Sequence, residues 1–178
     1  EFMAALLTSV LDNTDKVIEY SGECARLGIK VLPPDVNISN GGFTADAAGQ
    51  IRFGLNAVKN VGRNLIDRVV EERQEKPYAS LYDFCKRLYG GTEMNRRSVE
   101  SLIKAGAFDS MGVNRRSLVE AVEGILKSIE SDTKRNLDGQ LDLFSVMMGE
   151  DAGASDDTYE IKPFPEYTHA ELLQQEKE

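Results

Sequence analysis

The chain has 178 residues, 41% of them hydrophobic and 29% charged, a balance that fits one or two small globular domains. No apolar run approaches the ~18 residues a membrane span needs, and the apolar stretch at residues 2–7 is too short for a secretion signal and has no basic residues before it. The net charge of −9 argues at first against nucleic acid, yet residues 1–50 carry −4, residues 51–137 carry +4 and residues 138–178 carry −9, so the middle could face phosphate and the tail would repel it.

Residues 3–11 are expected to form a helix, with Leu6, Leu7, Val10 and Leu11 on one stripe. Asn13 is placed to cap a second helix carrying Val17, Tyr20, Cys24 and Leu27, and Gly28 suits a left-handed stop. Leu32-Pro33-Pro34-Asp35 is extended, because proline is excluded from a helix interior. Phe43-Thr44 and Ile51-Arg52-Phe53 read as two short strands around Ala48-Gly49, a small β-hairpin.

Helical spacing returns at Leu65, Ile66, Val69 and Val70. After Pro77, Ser80 and Asp83 form a capping-box pattern ahead of Leu81, Phe84, Cys85 and Leu88, and Gly90-Gly91 ends that helix. Asn95 opens another, with Val99, Leu102 and Ile103 inward and Gly106 at its end. Asn114 opens the last clear one, striped by Leu118, Val122, Ile125, Leu126 and Ile129. The periodicity then fades. Residues 149–158 are small and acidic and are expected to be disordered, and residues 171–178 look like a helix as it starts.

Two segments share a pattern that suits phosphate. In residues 54–66 and 99–109 an apolar helical face leads to a glycine-containing turn and then to another helix. Such a turn exposes backbone N–H groups only if its side chains are small or tolerate positive φ, which Asn60 and Gly62 satisfy. The following helix would aim its free amides and dipole at an anion. Lys59 and Arg63 flank the first turn around Asn60, Val61 and Gly62, and can add charge-assisted bonds. The second turn offers Lys104 and Gly106, with Arg115 and Arg116 opening the next helix. Cations there oppose the helix dipole, which a bound phosphate could neutralise; a solvated basic helix end is the plainer alternative.

Gln140-Leu141-Asp142-Leu143-Phe144 is different in kind. Three apolar residues stand beside an acidic stretch with little core to join, as in a short linear motif that enters a partner's pocket. The alternative is a continuing helix, since Leu137, Leu141 and Phe144 are four and three residues apart. No metal or catalytic constellation is evident. Cys24 and Cys85 lack ligand or redox spacing and read as buried reduced thiols. Asp156-Asp157 reads as a solvated acidic pair, and His169 as a lone surface histidine.

With these residues in view, the chain resembles the alpha subunit of bacterial DNA polymerase III along nearly its whole length. Residues 1–9 and Leu32-Pro33-Pro34-Asp35-Val36-Asn37 look like the end of that family's fingers domain. Phe53-Gly54-Leu55, Lys59-Asn60-Val61-Gly62 and residues 102–109 resemble its tandem helix-hairpin-helix region, with Asn60 where glycine is common. Residues 140–144 are similar to its clamp-binding peptide, and residues 171–178 to the start of an oligonucleotide-binding domain.

The resemblance implies a mainly α fold: a tandem helix-hairpin-helix bundle with one small β-hairpin, preceded by fingers-domain helices and followed by a flexible acidic tail. The implied divisions are residues 1–36, 37–137, 138–148 and 149–178. It further implies a fragment of a bacterial cytoplasmic DNA-directed DNA polymerase that holds duplex DNA without reading sequence. Lys59, Asn60, Val61, Gly62, Arg63, Lys104, Gly106, Arg115 and Arg116 would face the DNA. Leu143 and Phe144 would fill a pocket of the sliding clamp (the beta subunit), Gln140 would set register, and Leu141 and Asp142 would complete the motif. The fragment itself is expected to hold no catalytic residue and no cofactor, with Mg2+ used by the parent polymerase. The residues alone leave open a DNA-binding fragment of a nuclease or repair enzyme, and a purely protein-binding helical module.

Overall fold

A computed structural model describes residues 1–91, 94–137 and 159–176. Among these, seven α-helices and one three-stranded sheet are present, in keeping with the mainly α class. Helix α1 (Phe2–Ser9) turns into α2 (Thr14–Arg26), where the Asn13 side chain accepts from the Lys16 amide at 3.1 Å. Such a cap is worth about 1 kcal/mol.

The expected hairpin is present as β2 (Thr44–Ala45) antiparallel to β3 (Ile51–Arg52). A third strand, β1 (Val31–Leu32), pairs parallel with β3, giving the order β1-β3-β2. The extended Leu32-Pro33 stretch is therefore a sheet edge: the Ile51 amide donates to Lys30 and the Phe53 amide to Leu32. Proline is tolerated just past such an edge because no ladder bond is lost there.

The buried apolar side chains form two clusters. Met3, Ala4, Leu7, Val17 and Cys24 pack with Phe43 and Ile51, so the sheet is built onto α1 and α2. A division after residue 36 would cut this cluster, because Phe43 and Ile51 lie beyond it in sequence and inside it in space. The larger cluster joins α3 (Arg63–Glu72), α4 (Leu81–Leu88), α5 (Arg96–Lys104) and α6 (Arg115–Leu137). Phe84 stands at its centre, edge-on to Tyr78 at 4.9 Å and to Phe108 at 5.0 Å. Each apolar side chain buried in this way contributes about 1.5–3 kcal/mol.

The two clusters meet at the chain leading into the first hairpin. The amides of Leu55 and Asn56 donate to the carbonyls of Asn40 and Gly41. A Cβ on Gly54 would stand 2.5 Å from the Gly42 carbonyl carbon, so only glycine permits this approach. Arg73, at the end of α3, donates to the carbonyls of Val36 at 3.0 Å and Ser39 at 2.5 Å and to the Asn40 side chain at 2.9 Å. The hairpin is thus held from both sides before it turns.

Residues 159–176 are not a loose linker. Tyr159 stacks on Tyr82 of α4 at 6.3 Å, and its hydroxyl lies against Gly124 of α6. The segment then follows α6 back toward its N-terminus and ends in α7 (His169–Gln175), capped by Thr168 and Glu171. The Tyr159–Tyr82 stack and a set of side-chain hydrogen bonds offset the ordering cost of this short stretch.

Candidate nucleic-acid interface

The first hairpin is open. Its leading element is a single 3-10 turn, Leu55–Ala57, rather than the longer helix expected, because Leu55 must point into the core while the chain leaves Gly54 in an extended conformation. Val58 is buried and Lys59 and Asn60 project outward. Asn60 has φ 62°, and no other non-glycine residue is left-handed among the described residues. The positive φ that the turn requires therefore falls on Asn60, a residue type that tolerates it. Gly62 does not share this role: at φ −72°, ψ 144° it is the extended N-cap of α3.

That N-cap matters chemically. Gly62 has no side chain with which to cap α3, and the first turn of the helix holds no acidic residue. The dipole end of α3 is thus presented between Lys59 and Arg63, both exposed, with Val61 half-buried beneath. The Arg63 guanidinium meets both oxygens of Asp12, on the α1–α2 turn, at 2.7 and 2.8 Å. Both side chains are well exposed, so this pair is held weakly and can exchange for another anion.

The two hairpins lie side by side. The Asn60 side-chain amide donates to the Ser101 hydroxyl of α5 at 3.4 Å. Lys59, Asn60, Ser101 and Lys104 line a cavity of about 550 Å³ whose apolar wall includes Val17, Ile18 and Phe53. Sequence spacing pointed to Lys59 and Lys104 separately. Their convergence, and the parts taken by Ser101 and Asp12, depend on contacts between elements far apart in the chain.

The second hairpin is closed. Gly106 takes φ 85° as a turn glycine should, but it is buried. Arg115 lies over it, with only 7% of its surface exposed. Its guanidinium bonds Asp109 at 2.9 and 2.7 Å, the Lys104 carbonyl at 3.0 Å and Glu176 at 2.9 Å. Asp109, above all, holds this guanidinium even more firmly protonated than usual. The side chain read as facing DNA is thus a strut within the molecule: a planar, five-donor group suits four acceptors around one turn.

The start of α6 is likewise taken. Asn114 caps it, accepting from the Ser117 amide at 2.8 Å. The Glu166 carboxylate accepts from the amides of Arg115 at 3.0 Å and Arg116 at 3.3 Å. The Arg116 guanidinium stays half-exposed, 5.7 Å from the centre of the Tyr167 ring. Partial burial disfavours charge on Glu166, but the amides of Tyr167, Arg115 and Arg116 outweigh it and hold the carboxyl below its ordinary range.

Gln140, Leu141, Asp142, Leu143 and Phe144 lie outside the described residues, as do Asp156 and Asp157. His169 is exposed at the start of α7. Cys24 and Cys85 are buried and unpaired in any disulfide, and burial pushes the Cys85 thiol up to about 12. Among the described residues no group of three His, Cys, Asp or Glu side chains is placed to hold a metal ion, and no helix is long and apolar enough to cross a membrane.

A family model described as a helix-hairpin-helix motif matches residues 28–118. The chain is 38% identical over 179 aligned residues to the DNA polymerase III subunit alpha of Haemophilus influenzae, which spans 100% of this chain and 15% of that protein. It is 46% identical to the subunit of the same name from Saccharopolyspora erythraea, over 88% of this chain and 13% of that protein. The Escherichia coli subunit is 37% identical, over 93% of this chain and 14% of its own length. The chain therefore spans about one seventh of the curated relatives it matches.

Proposed function

Because the chain belongs to the helix-hairpin-helix motif family, we propose that it grips duplex DNA by its phosphate backbone, as one segment of a replicative DNA polymerase. The observation that carries this reading is the first hairpin: a left-handed Asn60 turn, a capless α3 start at Gly62, and exposed Lys59 and Arg63 on either side. Backbone amides and mobile cations recognise phosphate oxygens without reading bases, so the grip is independent of sequence. The nucleotidyl transfer of such a polymerase, with its Mg2+, is assigned to residues outside this chain.

The second half of the proposal concerns the sliding clamp. Gln140-Leu141-Asp142-Leu143-Phe144 would dock on it, with Leu143 and Phe144 as apolar anchors and Gln140 setting register. A tether beside a DNA grip raises the effective concentration of the polymerase on a DNA-encircling partner, which supports processive synthesis. Duplex titrations across a range of salt test the first half: the Lys59→Ala/Arg63→Ala variant should lose affinity equally for all sequences. Calorimetry with purified clamp tests the second half.

A further inference from the structure

We propose that residues 159–176 act as an intramolecular plug of the second hairpin, with the Glu166 carboxylate on the α6 amides where a DNA phosphate would otherwise sit. The inference rests on the reading of the hairpins as phosphate sites and adds a regulation to it: while the strap is docked, DNA is held through the first hairpin alone.

Six contacts converge on the start of α6. Glu166 accepts from the amides of Arg115 and Arg116. The Phe164 amide donates to the Ser117 hydroxyl at 2.8 Å, and the Asn114 side chain donates to the Phe164 carbonyl at 2.8 Å. Tyr167 lies beside the Arg116 guanidinium, and Glu176 reaches Arg115 from the far end of α7. These side chains bring one carboxylate to the place where helix geometry favours an anion. At the corresponding place in the first hairpin, the start of α3, no side chain caps the helix. The same strap also brings Glu176 onto Arg115, which Asp109 of the hairpin already pairs, so the cation beside the site is neutralised from within.

The strap can leave without unfolding the bundle. Glu166 is exposed, as are Pro163, Phe164 and Pro165. Tyr159 and Ile161 only flank the larger cluster. Whatever pulls on the chain beyond α7, or supplies a competing polyanion, can shift the strap between docked and released states. The shift is then set by the difference in anion affinity at one site.

The test compares the wild-type chain with Glu166→Ala, Glu166→Gln and the control Glu160→Ala, each titrated with a short duplex DNA at several salt concentrations. Glu160 carries the same charge on the same strap and makes no contact with α6 amides in the structure. The plug predicts that both Glu166 variants bind more tightly. The slope of log affinity against log salt should steepen by about 0.9, one added phosphate contact, in Glu166→Ala. Glu160→Ala should leave the slope unchanged. Amide resonances of Arg115 and Arg116 should move on adding duplex in Glu166→Ala and stay fixed in the wild type.

Equal slopes in wild type and Glu166→Ala, a similar steepening in Glu160→Ala, or Arg115 and Arg116 resonances that respond alike in both proteins overturn the plug. Resonances of Asn60 to Arg63 report separately on the underlying reading. If those fail to respond to duplex in the wild type, the hairpin itself is not a phosphate site. If they respond while the slopes stay equal, only the plug fails.

Discussion

Arg115 closes over Gly106 and grips Asp109 through two hydrogen bonds, of 2.9 and 2.7 Å. Both side chains stand against Gly106, where an added Cβ would collide with them, so the glycine leaves the space the guanidinium fills. Gly106→Ala should therefore destabilise the chain twice over: by about 1–2 kcal/mol for a side chain at positive φ, and further by displacing Arg115. Urea denaturation measures this, and an unchanged midpoint would show that the clasp adapts freely.

The conformation of Asn60 gives a second prediction. At φ 62° a β-branched side chain is disfavoured and glycine is not. Asn60→Gly should keep the turn and lose only the bond to Ser101, leaving duplex affinity within about twofold, well under the 1.4 kcal/mol of a tenfold change. Asn60→Val should distort the turn and weaken binding by about tenfold, or ~1.4 kcal/mol. Filter binding with mixed-sequence duplexes reads both; equal affinities for the two variants would count against the turn.

Salt dependence separates phosphate contacts from other attractions. Removing Lys59 and Arg63 together should flatten the slope of log affinity against log salt by about 1–2 units. Arg63 leaves behind an exposed Asp12, which also repels DNA, so Asp12→Asn alone should tighten binding modestly. A loss confined to particular sequences would mean that these side chains read bases.

Strap docking should depend on pH with a definite sign. The Glu166 carboxyl is held below its usual value of 4.5 in the docked state, so docking is fully stabilised above that value and weakens as pH falls through the lower docked one. The groups facing it are the amides of Arg115, Arg116 and Tyr167 and the Arg115 guanidinium, itself paired with Asp109 and Glu176. Arg115 and Arg116 amide shifts, followed by NMR as the sample is acidified, should report the release. Glu166→Gln should abolish that transition while leaving the one governed by Glu171, whose carboxyl is held low by Thr168.

The clamp peptide has a test that decides between its two readings. Leu143→Ala/Phe144→Ala should abolish clamp binding in a calorimetric titration and leave the melting temperature where it was. A lowered melting temperature with intact clamp affinity would instead favour Leu141 and Phe144 as a last helical stripe.

Local chemistry made much of this protein legible from sequence. Helix starts were readable at Asn13, Ser80, Asn95 and Asn114, because each side chain caps amides within three residues of itself. The apolar stripes on α3 to α6 followed from helical spacing, and Asn60 was recognisable as a residue able to turn left-handed. Tertiary structure decided the rest. Nothing near Gly62 in sequence says that a positive φ is not needed there, nor near Phe43 that it packs on α1 and α2. An arginine at a helix start reads the same whether it meets DNA or a carboxylate of its own chain. Glu166 lies 51 residues from Arg115, a separation at which pairing is set by how α6 and the strap run together. The sequence thus determined that two hairpin turns exist and which side chains could serve phosphate. Folding determined that one turn faces outward and that the other is filled from within.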